Sequence, residues 1–195
     1  MIRQFIKNLL PYRPIRVSST FWDTRYREGK WDRIRAIDES AHYSVIVGYI
    51  HALKSEGRIL DVGCGEGILC ERLYECYYSK YVGIDVSIVA IDRASVKKNN
   101  KNIFIVSKIE DFRTDDKFDV IIFNECLYYM EKPLEILQHY EGILARNGVF
   151  IVSMCKTIES WKIWRQIDLH YSIIDAASVS NSKRVCWKIK VLGAP

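Results

Sequence analysis

Short apolar runs alternate with segments of helical spacing along most of this chain. Apolar runs of about five residues that are rich in Val, Ile and Phe are typical of strands buried on both faces of a parallel sheet. They predict strands over residues 58–62, 81–85, 102–106, 118–123 and 148–154, and helices over residues 66–76, 87–98 and 133–144. Strands that alternate with helices indicate an α/β fold with a doubly wound parallel sheet.

The two flanks of this alternating region predict further elements. Before it, helical spacing predicts two added helices, over residues 21–27 and 33–53. The apolar stripe of the second helix comprises Ile34, Ile37, Ala41, Val45 and Tyr49. After it, the pattern predicts a helix over residues 157–167 and strands over residues 171–179 and 184–192, joined by the turn Asn181-Ser182-Lys183. The expected sheet therefore has seven strands, mostly parallel, and ends in an antiparallel hairpin.

The most restrictive motif follows the first predicted strand and reads Asp61-Val62-Gly63-Cys64-Gly65-Glu66-Gly67. Glycines at every second position predict a turn whose backbone approaches a ligand, because glycine tolerates positive φ and has no Cβ. The expected ligand contains a nucleoside. A dinucleotide fingerprint would need glycine where this chain has Ile68, and a Walker A loop would need a lysine that does not follow these glycines. The spacing therefore disfavours a dehydrogenase and a tight phosphate site.

A second acid stands at the position expected for a ribose contact. Asp85 ends the second predicted strand, close to the separation of about 20 residues at which nucleotide-binding βαβ units place a carboxylate for both ribose hydroxyls. Asp85 could also cap the helix that begins near Ser87, and the two roles are compatible.

The pattern D-x-G-x-G-x-G resembles motif I of the class I S-adenosylmethionine (AdoMet) methyltransferases. Asp85, the apolar strand that ends in Asn124, and the segment 144–153 follow in the order of that family. The resemblance implies a Rossmann-like methyltransferase fold over about residues 55–192, with AdoMet as cofactor and S-adenosyl-L-homocysteine as product. Segments 21–26, 43–50 and 123–129 also resemble small bacterial methyltransferases that include the nodulation-factor N-methyltransferase and polysaccharide-pathway enzymes.

Cofactor-binding residues are carried over by position. The set is Asp61, Gly63, Cys64, Gly65, Gly67, Asp85, Val86, Ile109, Glu110 and Asn124. Within it, the resemblance implies that Asp61 and the glycines hold the methionine end, Asp85 the ribose, and Ile109 with Glu110 the adenine edge. One position departs from the family, because Lys108 stands where many relatives have an acid. Glu110, Asp111 or backbone groups would then meet the adenine amine, although an exposed loop would explain those two acids equally well.

Few catalytic side chains are required for transfer of an activated methyl, because positioning alone contributes about 7 to 11 kcal/mol. An amine acceptor need only be neutral, whereas a hydroxyl benefits from a general base. The catalytic candidates are Glu125, Asn124, Tyr128 and Tyr26, with Trp22 and Trp31 as further pocket aromatics and His139 and His170 as weaker bases. We expect the acceptor to be an N or O atom of a small molecule, such as a sugar or glycan precursor.

Size, charge and cysteines agree with one domain. The 195 residues, 49% hydrophobic, suit a single core over residues 21–195, in which 21–55 form a helical lid and 56–195 the catalytic core. The net charge of +5 is concentrated near the N-terminus, so residues 1–20 are expected to form a loose basic arm. A solvated charged face explains this charge better than attraction of phosphates on a nucleotide-sugar, a glycan, a nucleic acid or a membrane surface, which stays an alternative. We expect no membrane span, no metal site, and free thiols in the cytoplasm, because long apolar stretches and C-x-x-C pairs are absent.

Other functional classes remain open. A nucleic-acid base methylase usually has [DNS]-P-P-[YFW] after the fourth strand, and Asn124-Glu125-Cys126-Leu127 lacks both prolines. DNA and RNA are thereby disfavoured as acceptors, although the basic arm keeps them, like a protein acceptor, among the alternatives. A non-catalytic AdoMet-binding regulatory subunit would keep motif I, but the intact Asp61, Asp85 and Asn124-Glu125 favour an enzyme.

Overall fold

The structure is a computed structural model that describes residues 17–73 and 78–194. Its elements are α1 (Ser19–Arg27), α2 (Ser40–Lys54), β1 (Arg58–Val62), α3 (Ile68–Arg72), β2 (Lys80–Asp85), α4 (Ile88–Ala94), β3 (Asn102–Val106), β4 (Phe118–Asn124), α5 (Pro133–Glu141), β5 (Leu144–Cys155), α6 (Ile158–His170), β6 (Ser172–Ser180) and β7 (Cys186–Gly193). The strands form one sheet in the order β3-β2-β1-β4-β5-β7-β6. Strands β1 to β5 are parallel, whereas β7 runs antiparallel to β5 and β6. The predicted fold class is confirmed.

The strand order reverses between β1 and β4. In doubly wound sheets such a switch point leaves a crevice outside the carboxyl ends of the strands, where ligands bind. The register pairs Val62 with Ile84 on one side and with Phe123 on the other. Asp61, Asp85 and Asn124 therefore reach the same edge of the sheet, as their positions at strand ends predict.

The sheet has a hydrophobic core on each face, which explains the continuous apolar run in β4. Ile121 and Phe123 join the cluster beneath α5 and α6, whereas Val120 and Ile122 join the cluster beneath α2 and α4. All four side chains are fully buried. Because each neighbour in sequence points to the opposite face, a central strand covered on both sides has no polar alternation.

The predicted helix over residues 33–53 was wrong in its first turns. Two short 3₁₀ turns, Asp32–Arg35 and Ile37–Glu39, flank Ala36, whose ψ of 158° is extended, and α2 begins only at Ser40. This break changes which face is buried. The buried residues of α2 are His42, Tyr43, Ile46 and Ile50, whereas Ile37 of the predicted stripe is 84% exposed.

Other boundaries differ by a few residues. The predicted helix 87–98 is helical to Ala94 and continues as a 3₁₀ turn over Ser95–Lys97, and β5 begins at Leu144 rather than at 148. The helix predicted over 66–76 begins at Ile68; its last residues, including Cys76, lie outside the described residues. Most of the predicted basic arm also lies outside them, and α1 begins at Ser19.

A capping box fixes the start of α6. The Ser160 backbone N–H donates to Thr157 Oγ1 at 3.0 Å, and the Thr157 backbone N–H donates to Ser160 Oγ at 2.9 Å.

We predict that Thr157→Ala lowers the free energy of unfolding by about 1 kcal/mol, because the first turn of α6 loses its side-chain acceptor. Thr157→Ser keeps the hydroxyl and serves as the control in urea unfolding. Equal losses in the two variants would contradict the assigned cap.

Candidate functional site

One cavity lies at the carboxyl ends of β1, β2 and β4, beneath α1 and the turns that precede α2. Its volume of about 810 Å³ is within the range of ligand sites. The strand order divides this cavity into two ends. The glycine-loop end comprises Asp61, Gly63, Gly65, Asp85 and Ile109, and the Glu125 end comprises Glu39, His42, Glu125, Tyr128 and Tyr129.

The glycine loop requires residues without a Cβ. Gly63 and Gly65 have φ values of +74° and +53°, and a Cβ on Gly65 would lie 2.7 Å from the Tyr26 hydroxyl oxygen. Cys64, between them, lines the cavity and is buried. Gly67 has φ +72° but does not line the cavity; a Cβ there would lie 3.1 Å from the Phe104 ring. The first two glycines therefore shape the cavity wall, and the third allows close packing behind it.

Asp85 ties the glycine loop to α4. Its Oδ2 accepts the Gly65 backbone N–H at 2.9 Å, and its Oδ1 accepts the Ser87 backbone N–H at 2.8 Å. The side chain is almost buried, and burial raises its pKa while the backbone hydrogen bonds oppose the shift. A carboxylate offers about four acceptor positions, so each oxygen can still accept a hydroxyl from a ligand. Val86 lines the cavity next to it.

Asp61 is a buried acid suited to a cationic ligand. Only 2% of it is exposed, and the Tyr81 hydroxyl donates a hydrogen bond to its Oδ2. Burial raises the pKa of Asp61 to about 7, the Tyr81 hydrogen bond opposes the shift, and nearby Asp85 adds to it. A positive group beside this carboxyl would favour its charged form.

Asn124 supplies a test of whether a polar ligand fits. Asn124 lines the cavity, and its buried Oδ1 has no hydrogen-bond partner among the described residues. Buried acceptors are rarely left unpaired, so a donor from a bound molecule would complete the site. Ile109 and Glu110 line the same cavity, together with Lys108 and Asp111. Apolar Ile109, two buried acids and an unpaired amide oxygen fit a ligand with a base, a ribose and an amino group.

Glu125 dominates the other end. It follows β4 with a φ of +57°, a conformation that costs a residue other than glycine about 1 to 3 kcal/mol and that often marks functional sites. Its Oε1 accepts the Cys155 backbone N–H at 2.6 Å, and its Oε2 accepts the Tyr128 hydroxyl at 2.9 Å. Burial raises the pKa of Glu125 to about 7, although these hydrogen bonds oppose the shift. The carboxyl is therefore poised to exchange a proton near neutrality.

Aromatic residues of α1 and the following turn cover the cavity. Trp22, Tyr26 and Trp31 all line it, and the Trp22 ring meets the Tyr129 ring edge-on at 4.8 Å. The Ser87 hydroxyl donates to Asp23 Oδ1 at 2.6 Å, which anchors α1 to the start of α4. The cover is thus attached beside Asp85.

His42, Glu39 and Arg33 line the cavity, and the sequence had not singled them out. The His42 ring is 1% exposed and stacks on Trp187 at 4.7 Å. Burial, with a smaller contribution from Arg72, lowers the pKa of His42 to about 4, so the ring is neutral. No sequence signal marked His42, because the break before α2 moved the buried face onto it.

Both histidines proposed as weaker bases lie elsewhere. His139 Nε2 is 2.8 Å from Arg113 Nη1, and His170 Nδ1 is 2.8 Å from the Gln166 carbonyl oxygen. Neither lines the cavity. Glu125 is therefore the sequence candidate for a base that the fold brings to this cavity.

Within residues 17–73 and 78–194, no cluster of three or more His, Cys, Asp or Glu side chains could hold a metal ion. In that same part of the chain, no helix has the length and apolar character needed to span a membrane. The five cysteines described, Cys64, Cys70, Cys126, Cys155 and Cys186, are free thiols.

Comparison with known proteins gives consistent matches. A family model described as a methyltransferase domain matches residues 53–190. The mitochondrial ubiquinone biosynthesis O-methyltransferase of Dictyostelium discoideum is 32% identical over 146 residues, which are 67% of this chain and 44% of that protein. A tRNA U34 carboxymethyltransferase of Marinobacter nauticus is 28% identical over 155 residues, 75% of this chain and 43% of that protein. This chain thus spans less than half the length of either relative.

A solved structure shares the fold at low sequence identity. The N-methyltransferase NodS from Bradyrhizobium japonicum WM9, in complex with S-adenosyl-L-homocysteine, superposes with a TM-score of 0.69 and 19% identity. The match covers 85% of this chain and 91% of NodS. Since the family model also covers most of the sequence, the resemblance to class I AdoMet methyltransferases is confirmed, and the chain belongs to the methyltransferase-domain family.

Proposed function

We propose that this protein transfers the methyl group of AdoMet to an N or O atom of a small-molecule acceptor. The observation that carries the proposal is a single cavity with Asp61 and Asp85 at one end and Glu125 at the other. AdoMet supplies a methyl on a positively charged sulfur, already activated for in-line transfer. The protein then has to position the two reactants and keep water out.

At the glycine-loop end, the chain offers a partner for each part of such a cofactor. Asp85 has acceptor capacity for two ribose hydroxyls beyond its bonds to Gly65 and Ser87. Asp61 would pair with the amino group, and buried Ile109 gives the adenine an apolar wall. The product S-adenosyl-L-homocysteine would keep all these contacts and lose only the methyl and its charge.

At the Glu125 end, the chain offers a proton acceptor whose orientation is fixed. Tyr128 and the Cys155 N–H hold the two oxygens of Glu125. A carboxyl whose pKa lies near 7 is suited to accept a proton from an acceptor group at neutral pH. Tyr26 lies against Gly65 of the glycine loop, lines the cavity and would help to exclude water.

The charged side chains that line the cavity favour a small acceptor over a nucleic acid. Among the described lining residues, the acids are Glu39, Asp61, Glu66, Asp85, Glu110, Asp111, Glu125 and Glu131, and the cations are Arg33 and Lys108. A predominantly acidic wall repels phosphates. The names of the two relatives given above refer to ubiquinone biosynthesis and to tRNA U34, so a sugar or glycan acceptor is supported only by the narrower sequence resemblance.

Loss of the Asp85 carboxylate tests the cofactor site. We predict that Asp85→Ala weakens AdoMet binding by about one to two orders of magnitude, because two charge-assisted hydrogen bonds to the ribose are lost. Isothermal titration calorimetry with AdoMet and with S-adenosyl-L-homocysteine measures the effect. Asp92→Ala removes an exposed carboxylate from α4, outside the cavity, and is the control. Unchanged affinity in Asp85→Ala would remove Asp85 from the cofactor site.

Burial of Glu125 should appear in the pH dependence of stability. Its pKa rises from an ordinary value of 4.5 to about 7 on folding, so the native state binds more protons between those values. The resulting stabilisation is present at low pH and is lost as the pH rises through 7. We predict that the free energy of unfolding of wild type, relative to Glu125→Gln, falls by about 2 to 3 kcal/mol from pH 5 to pH 8. Urea unfolding of both proteins at pH 5 and pH 8 measures this difference in the free energy of unfolding. A difference that did not change with pH would contradict the prediction.

A further inference from the structure

The Glu125 end of the cavity has two neighbouring acids and one paired cation. Arg33 Nη1 lies 3.1 Å from Glu39 Oε1, and its guanidinium also lies 5.6 Å from the centre of the Trp31 ring. Glu39 is close enough to raise the pKa of Glu125. The hydrogen-bond partners of Glu125 are the Tyr128 hydroxyl, the Cys155 N–H and the Trp187 indole, and all three are uncharged groups. Ionisation of Glu125 therefore leaves a negative charge that these partners do not neutralise.

His42 gives an independent indication that a polar ligand binds at this end. Its Nδ1 is buried and has no hydrogen-bond partner among the described residues. The residue is only 1% exposed, yet it lines the cavity. The ring stacks on Trp187, which also hydrogen-bonds Glu125. A buried nitrogen without a partner costs free energy unless a ligand pairs with it. His42 and Glu125 thus both line the cavity and are connected through Trp187.

Aromatic rings face the same space. Tyr128 and Tyr129 lie with their ring centres 4.6 Å apart, and Trp22 meets Tyr129 from the lid. All three line the cavity. Ring faces attract cations, and this attraction is strongest where water is excluded. Carboxylates bordered by aromatic rings are a combination suited to a bound ammonium group.

We propose that the group methylated is an amine, which enters the Glu125 end as an ammonium ion and is held by Glu125, His42 and the aromatic rings. The inference rests on the proposed methyl transfer and narrows its acceptor from N or O to N. An ammonium brings its own positive charge to Glu125. A neutral hydroxyl would bring none, so the ionised carboxylate needed to deprotonate it would stay uncompensated in a buried site.

Methyl transfer to an amine balances in protons and electrons. Ionised Glu125 takes one proton from the ammonium, and the nitrogen lone pair becomes available. That lone pair forms the new C–N bond with the methyl carbon while the C–S bond breaks. The electron pair of the C–S bond stays on the sulfur, which becomes a neutral thioether. The product leaves as a methylated ammonium, and Glu125 returns its proton to solvent.

A matched pair of probes tests the inference without knowledge of the natural acceptor. Benzylamine and benzyl alcohol have similar size and one aromatic ring, but only the amine is cationic at neutral pH. Each is titrated by calorimetry into the protein saturated with S-adenosyl-L-homocysteine. We expect benzylamine to bind about tenfold tighter than benzyl alcohol at pH 8, the factor given by one charge-assisted hydrogen bond. We also expect this preference to shrink at pH 6, because a pKa of about 7 means that a larger fraction of Glu125 is protonated there than at pH 8.

Two variants test which residues cause the preference for benzylamine over benzyl alcohol. Glu125→Gln should abolish it, and His42→Phe, which keeps a ring against Trp187 but removes the nitrogens, should reduce it. Asp92→Asn on the outer surface of α4 is the control and should keep it. Titration of each variant with S-adenosyl-L-homocysteine alone reports whether the protein is folded with a working cofactor site. If Glu125→Gln does not bind that product, His42→Phe and the pH dependence in wild type carry the test.

The outcomes separate the two levels of the account. If wild type binds neither AdoMet nor S-adenosyl-L-homocysteine, the proposed function itself fails. If the product binds but benzyl alcohol binds as tightly as benzylamine, or the preference persists at pH 6 and in both variants, the amine inference is overturned while the methyltransferase proposal stands.

Discussion

This site depends on one constraint, namely that acidic side chains are buried where neighbouring parallel strands end. Asp61 lies in β1, Asp85 ends β2, and Glu125 follows β4. Burial raises the pKa of all three. Their hydrogen bonds come from neutral donors, such as backbone N–H groups and tyrosine hydroxyls, which orient a carboxylate but do not cancel its charge. The fold thereby keeps a negative potential in a cavity whose proposed ligand carries positive charge on its sulfur and its amino group.

The sheet topology explains why these groups meet. Because the strand order reverses between β1 and β4, the connections that follow them diverge and leave a crevice between Gly63 and Asn124. The antiparallel β7 brings Trp187 against His42, and that stack borders Glu125. Helix α1 covers the crevice, and its Asp23 accepts a hydrogen bond from the Ser87 hydroxyl beside Asp85. The two ends of the cavity and the helix that covers it are therefore connected by one set of contacts.

Sequence reasoning predicted the parallel strands closely, because buried strands give apolar runs whose limits are clear. It also brought Asp61, Asp85, Asn124 and Glu125 to one edge, since residues at the ends of parallel strands meet there. It missed His42 because one extended residue, Ala36, interrupts an otherwise helical pattern and rotates the buried face of the next helix. Contacts between Trp187 and Glu125 join residues far apart in the chain, and no local pattern encodes them. The role of each site residue stays a prediction until it is tested by mutation.

The most direct measurement is the proton stoichiometry of AdoMet binding near pH 7, obtained by calorimetry in buffers of different ionisation enthalpy. The account predicts tight binding with net release of protons, because the positive charges of AdoMet lower the pKa of Asp61 from about 7 and favour its ionised form. Absence of binding, or binding with proton uptake, would contradict the claim that these buried carboxyls form a site for a cationic nucleoside.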